Sequence, residues 1–545
     1  MPSSPRFPLV ALIILLPMGP LAAAGEPIPS GEELEAAGAR IGTIRVSRLD
    51  IFDTNDPAEN YFLYRLANRL HVLSREEVIR RELLFREGDP YRRALIEESE
   101  RNLRALSVIY HVQILPEAYH DGLLDVVVFT QDTWTMRPSI RVSRAGGNTN
   151  SGFSFSERNL LGRVKLLEVS RRNDIDRSTT GLLYSDPRLF GTRLALRALY
   201  QDSSDGLSRG LSLSRPFFSL DSRWSMNVSG QHLTQTARLF QNGDTVSEFA
   251  LVSDTGNASY LYSRGHQDGR VFRYGPGYGY LRNVFDGETC LLGPADPGCQ
   301  PPDQKFSGPL FNFERLKDRY IEVTNYNQFD RVEDFNLGND LNLTVQMSLR
   351  SFGAERSEAI LGLTDSFGVP LSDSTNLFYN ASLSGRTGAG EVRNLVFSQS
   401  VESYSRMSPR QTLYARLAFD VGIHLDPQNQ FLLGGETGLR GYPSRQFAGD
   451  RRLLLTLEHR VFAPWEIFRL VRIGFAAFVD VGDAWYGQTG ESGSDLHPDL
   501  GFGLRFGVTR SSIASVSRLD LAYSVDAEET DSPRVQLLFG TALRF

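Results

Sequence analysis

Gln411 to Leu425 reads QTLYARLAFDVGIHL. Leu413, Ala415, Leu417, Phe419, Val421, Ile423 and Leu425 share one parity, while Thr412, Arg416, Asp420 and His424 share the other. A period of two belongs to a β-strand, whose successive side chains point to opposite faces. The split recurs downstream. In LLLTLEHRVF, Leu453, Leu455 and Leu457 oppose Thr456, Glu458 and Arg460. In IGFAAFVDVG, Ile473, Phe475, Ala477, Val479 and Val481 oppose Gly474, Ala476, Phe478, Asp480 and Gly482. In DLGFGLRFGV, Leu500, Phe502, Leu504, Phe506 and Val508 oppose Gly501, Gly503, Arg505 and Gly507. In RVQLLFGTALRF, Val535, Leu537, Phe539, Leu543 and Phe545 oppose Arg534, Gln536, Gly540 and Arg544. One face is apolar; the other is small or charged.

A soluble sandwich and a barrel in lipid both produce this pattern, with opposite environments outside. The chain's start favours the barrel. Arg6, an apolar run from Phe7 to Leu16 and Ala22-Ala23-Ala24 read as an export signal over residues 1–24. No later run supplies the ~18 apolar residues of a membrane helix. The mean hydropathy of −0.26 is compatible with a transmembrane barrel, in which only alternate residues face lipid. The formal charge of −7 gives no reason to expect a nucleic-acid partner. Cys290 and Cys299 bracket LLGPADPG, a spacing that in an exported chain predicts a disulfide across a surface loop.

From residue 133 to 545 helical periodicity is gone, and short alternating runs are separated by Gly, Asp, Asn and Ser. About sixteen spanning strands, at roughly 26 residues each with loops, fit that length, and about fourteen or eighteen fit it almost as well. Residues 25–40 read as a linker and 41–132 as a small α/β domain of order β-α-α-β-β. IGTIRVSRL is its first strand, Ser74 with Glu77 a capping box ahead of VIRREL, and VIYHVQIL and LLDVVVFT its last two strands. An extra helix is expected within residues 58–72.

Between two of the barrel-type strands lies GGETGLRGYPS, Gly434 to Ser444, a loop with one arginine, Arg440, set among Gly438, Leu439, Gly441 and Tyr442. Glu458 and Asp480 fall on the small-or-charged face of the following strands, so a planar guanidinium fork could bridge them inside a barrel. This loop, FVDVGDAW at Phe478–Trp485, and LLFREGDPYRRALIEESERNLRAL in the N-terminal domain together resemble the BamA/TamA superfamily and its periplasmic POTRA module. SERNLLGRVKLLEVS, SDPRLFGTRL and SRPFFSL resemble that superfamily's early barrel strands, in the same order.

The resemblance implies a mainly β protein in the bacterial outer membrane: a transmembrane antiparallel barrel at 133–545 behind a POTRA-like periplasmic domain. It implies that the arginine loop folds into the lumen and is pinned by Glu458 and Asp480, and that the seam between first and last strands opens. Pro138, in the first strand, cannot donate to a ladder and suits such a seam, or else a strand start. The terminal Phe545, with Phe539 and Leu543 on its face, resembles the signal by which barrel-assembly machinery recognises outer-membrane barrels. The expected function is insertion or export of unfolded periplasmic client proteins, in contact with outer-membrane lipid. A two-partner-secretion-type transporter and a passive channel or receptor are the alternatives. The chain carries no HExxH, G-x-S-x-G or P-loop motif. Neither an enzyme nor a cofactor is expected.

Overall fold

The computed structural model describes residues 28–290, 301–487, 495–509, 516–526 and 534–542. The expected signal segment, Cys299, Leu543 and Phe545 lie outside the described residues, as does the Cys290 side chain.

The N-terminal domain holds a three-stranded sheet and four helices. Strand β1 (Arg40–Leu49) is followed by helices α2 (Phe62–Leu70), α3 (Glu76–Glu82) and α4 (Arg93–Ala105), then β2 (Ile109–His120) and β3 (Leu123–Asp132). β3 is central, parallel to β1 and antiparallel to β2. Ile79 of α3 and Leu103 of α4 pack with Ile41, Val112, Leu124 and Val128 in one core. Two expectations need correction here. Residues 25–40 contain a helix, α1 (Gly31–Ala36), whose Leu34 is buried in that core. The capping box sits there, between Ser30 and Glu33. Ser74 does not cap α3, because its N–H and its hydroxyl both donate to Asp132; α3 starts two residues later without a side-chain cap.

β3 runs directly into a closed barrel of twenty strands, not about sixteen. Tight turns explain the difference. Gly146-Gly147, Asn242-Gly243, Asp268-Gly269 and Ala389-Gly390 all have positive φ at both positions, the backbone of type I′ hairpins. Connections of two residues leave chain for more strands. The wall is uneven. Strands Trp224–Gln241, Asp244–Gln267 and Arg270–Cys290 have 18, 24 and 21 residues. Those flanking the junction of first and last strands, Met136–Ala145 and Val535–Ala542, have 10 and 8.

Alternation sorts the faces. Along Val471–Trp485, Gly474, Ala476, Phe478 and Asp480 are buried toward the lumen, while Phe475 and Val479 are exposed outside. Ile140, Phe153, Leu211, Phe502 and Leu537 extend that exposed apolar outer face around the barrel. Among the described residues no helix is long and apolar enough to cross a membrane.

Candidate functional site: an arginine held inside the barrel

The loop after strand Gln411–Ile423 folds back into the lumen. A short ribbon, Phe431–Leu433 paired with Phe447–Gly449, forms its neck. Leu433, Leu439 and Tyr442 are buried with Leu454 and Ala484 of the wall, so apolar contacts draw the tip inward beside the charge. Arg440 is 5% exposed. Its Nε donates to Asp480 Oδ2 at 2.6 Å and its Nη2 to Asp480 Oδ1 at 3.1 Å. Its Nη1 donates to Glu458 Oε2 at 2.9 Å. The guanidinium carbon also lies 3.4 Å from the centre of the Phe478 ring, where the ring face attracts a cation. The bidentate fork needs an arginine; a lysine ammonium is a single point charge.

Neighbouring residues shape the approach. Gly438 has φ of +125°, strained for an L side chain. Gly441 is needed for space, since a Cβ there would stand 2.6 Å from Asp499 Cβ and 3.0 Å from Ser524 N. Gly441 N–H donates to Asp499 Oδ2 at 2.7 Å. The Tyr442 hydroxyl meets Pro498 O and Asp526; burial and that carboxylate push its pKa up, keeping it a donor.

Glu458 is the hub of a larger network. Besides Arg440 it accepts from Arg460 Nε at 2.8 Å and Arg505 Nη2 at 3.4 Å, and Arg505 also pairs with Asp520. Arg460 leads to a second insertion. Residues between Lys317 and Asn339 leave the wall at the end facing the N-terminal domain and enter the lumen through the hairpin Tyr320–Val323/Glu333–Asn336. At its tip Tyr326 is 2% exposed and stacks on Tyr404 at 4.7 Å between centroids. Arg460 Nη1 donates to Tyr326 O at 2.8 Å and Asn327 Oδ1 at 3.2 Å. Phe329 packs on Phe462, Ala476 and Val516. Glu333 accepts three consecutive backbone N–H groups, from Tyr326 to Gln328. The lumen is thus entered by chain from both ends, and the Glu458–Arg460 pair touches both insertions.

Among the described residues the wall has one weak junction. Between the first and last strands the only register pair among the described residues is Phe539 with Arg144. Pro138 lies on that edge, its other neighbour being Phe155 of the next strand.

The N-terminal domain rests on the turns whose motifs the sequence singled out. Buried Asn159 donates to Ser74 Oγ and Val72 O, and Gly162 has a site where a Cβ would come 2.7 Å from Leu73 O. Glu82 of α3 pairs with Arg188 and Arg193. Asp186 of the same turn region pairs with Lys165, and Arg215 lies 3.8 Å over Trp224. Arg104 of α4 pairs with Glu322 and Asp334 of the inserted hairpin, which thereby reaches back to the domain. A cavity of about 860 Å3 opens between α4, the turn at Phe217–Ser219 and this hairpin.

The structure therefore brings Arg440, Glu458 and Asp480 together. It leaves the Cys290–Cys299 pairing and the terminal aromatic outside its described residues. Asp499 and Asp520 were missed as partners, although Asp499 shares the lumen-facing parity of Gly501, Gly503 and Arg505. The inserted tip had no periodic signal at all.

No family model and no curated protein matches the chain. Among solved structures it is similar to BamA from Haemophilus ducreyi lacking POTRA domains 1–3, with 13% identity, 92% of this chain and 84% of that one covered and a TM-score of 0.39. It is also similar to CdiB from Acinetobacter baumannii (12% identity, 93% and 74% covered, TM-score 0.47) and CdiB from Escherichia coli (12%, 93% and 76%, 0.44). At these values the likeness carries no function.

Proposed function

We propose that this chain is an outer-membrane protein insertase or translocase of the BamA/TamA type. The observation that carries the reading is the pairing of an occupied lumen with a weak seam. The arginine loop and the inserted hairpin both hold the lumen through buried hydrogen bonds, while the wall between first and last strands has one register pair among the described residues. Each ladder hydrogen bond contributes about 0.5–1.5 kcal/mol net, so opening the wall there costs less than clearing both insertions. The exposed edges can template an incoming strand. The N-terminal domain, as a POTRA-like periplasmic module, offers the edge of β2, which pairs only with β3 among the described strands. No cofactor or nucleotide enters this scheme; the free energy of client folding drives it. A passive channel fits poorly with a lumen filled from both ends.

The test is made in cells. A photo-crosslinker replaces exposed Leu115 on β2, and the outer-membrane and secreted proteins are quantified after depletion of this chain. Proteins lost on depletion should be those crosslinked at β2. Unchanged outer-membrane and secreted protein sets would overturn the reading.

A further inference from the structure

Helix α2 is built the wrong way round for a soluble domain. Its back face is seated: Tyr64 stacks on Phe52 at 4.3 Å, its hydroxyl donates to Phe468 O, and Asn68 exchanges hydrogen bonds with the Phe52 backbone. Trp134, in the link between β3 and the first barrel strand, and Leu470, in a barrel turn, pack against this cluster. The outward face is apolar. Phe62 and Leu63 are each 69% exposed and Leu70 is 52% exposed, with Leu66 between them. At 100° per residue these four fall within one arc, flanked by exposed Arg65 and Arg69 on one side. From Tyr61 to Val72 there is no acidic residue.

The face continues onto the barrel. Phe468, whose carbonyl Tyr64 holds, is 79% exposed at a turn tip, and Trp465 and Ile467 beside it are exposed on the outer wall. Two other turn tips at this end, Leu161 and Phe190, are also exposed, with Phe190 at 90%. Single exposed apolar residues are ordinary, but a contiguous apolar face rimmed by charge marks a contact surface. A helix of nine residues is too short to span a membrane. An apolar arc with arginines at its flank fits the plane of an interface.

We propose that α2 lies in the periplasmic-leaflet interface of the membrane, with Phe62, Leu63, Leu66 and Leu70 among the upper acyl chains. Arg65 and Arg69 then meet anionic phospholipid headgroups. This rests on the reading of the barrel as membrane-spanning. The helix is thereby a foot that fixes the height and tilt of the N-terminal domain against the bilayer, beside the barrel turn at Phe468.

The test uses the full chain with Cys290 and Cys299 replaced by serine, in vesicles of phosphatidylethanolamine and phosphatidylglycerol. Single cysteines at Leu63, Leu66, Phe153 and Asp121 carry an environment-sensitive fluorophore, and nitroxide-labelled lipid is the quencher. Phe153 reports the barrel wall. Asp121 sits at the end of β3 remote from the barrel, about 33 Å away along the strand. Labels at Leu63 and Leu66 should be quenched severalfold more than the label at Asp121. Arg65→Glu with Arg69→Glu should lower that quenching in vesicles containing phosphatidylglycerol and leave it unchanged in phosphatidylcholine alone. Quenching at Phe153 with Leu63 and Leu66 matching Asp121 overturns the foot while the barrel reading stands. Absence of quenching at Phe153 overturns the membrane reading and the foot with it. Shielding of Leu63 that appears only when unfolded polypeptide is added assigns the face to a protein partner and overturns the proposal.

Discussion

At the scale of single residues, Arg440 is a geometric device as much as a charge. Its fork meets two oxygens of Asp480 and one of Glu458 while its plane covers Phe478. Removing one member of a buried ion pair costs about 3–5 kcal/mol in a dry interior, and lumen water lowers that figure. Arg440→Ala should leave the barrel formed, seen as unchanged heat-dependent migration in gels, yet reduce client insertion or export roughly tenfold, the equivalent of about 1.4 kcal/mol. Arg440→Lys should fail to restore activity, since it cannot span both carboxylates. Full activity in Arg440→Ala would show that the loop's position is irrelevant. Glu458→Gln weakens its contacts with three arginines, so its effect should exceed that of Asp480→Asn in the same assay.

At the scale of elements, two predictions separate wall from lumen. Cysteines replacing the register partners Arg144 and Phe539 should form a disulfide that blocks activity and releases it on reduction. A verified crosslink that leaves activity intact would make the lumen the route. The second concerns the inserted hairpin. Tyr326→Ser with Phe329→Ser removes the ring stack on Tyr404 and the plug against Phe462. Single-channel recordings in planar bilayers should then show severalfold larger or longer openings than the parent chain. Unaltered conductance would mean that the insertion does not block the lumen. Because Arg460 joins Glu458 to the backbone of Tyr326, combining this change with Arg440→Ala should give a non-additive effect, as contacting networks do.

At the scale of the whole molecule, the domain is held to the barrel by charge pairs and hydrogen bonds at several turns. Glu82 serves Arg188 and Arg193, and Arg104 serves Glu322 and Asp334. Hydrogen bonds to charged groups contribute about 1.5–3 kcal/mol. Glu82→Ala with Arg104→Ala should therefore raise hydrogen exchange in α3 and α4 and expose the domain to protease, while the barrel stays folded. Equal protection in the variant would place the docking energy elsewhere, for example at Asn159, which donates to Val72 O and Ser74 Oγ of the domain.

Much of this was legible along the chain. Alternation is a local property of a strand, so the lumen-facing parity of Glu458, Asp480 and Phe478 could be read without knowing the fold, and a glycine-set arginine marked the loop. The α/β order of the N-terminal domain was equally local. Closure was not. The count of twenty strands depends on which glycine pairs make two-residue turns, and several neighbouring loops carry similar residues. Asp334 meets Arg104 across 230 positions of sequence, and the Tyr326 tip finds Tyr404 only because the wall curves round to it. A charge or ring in an irregular segment has no periodicity to announce its partner. Its role is set by the closed surface that brings distant strands face to face.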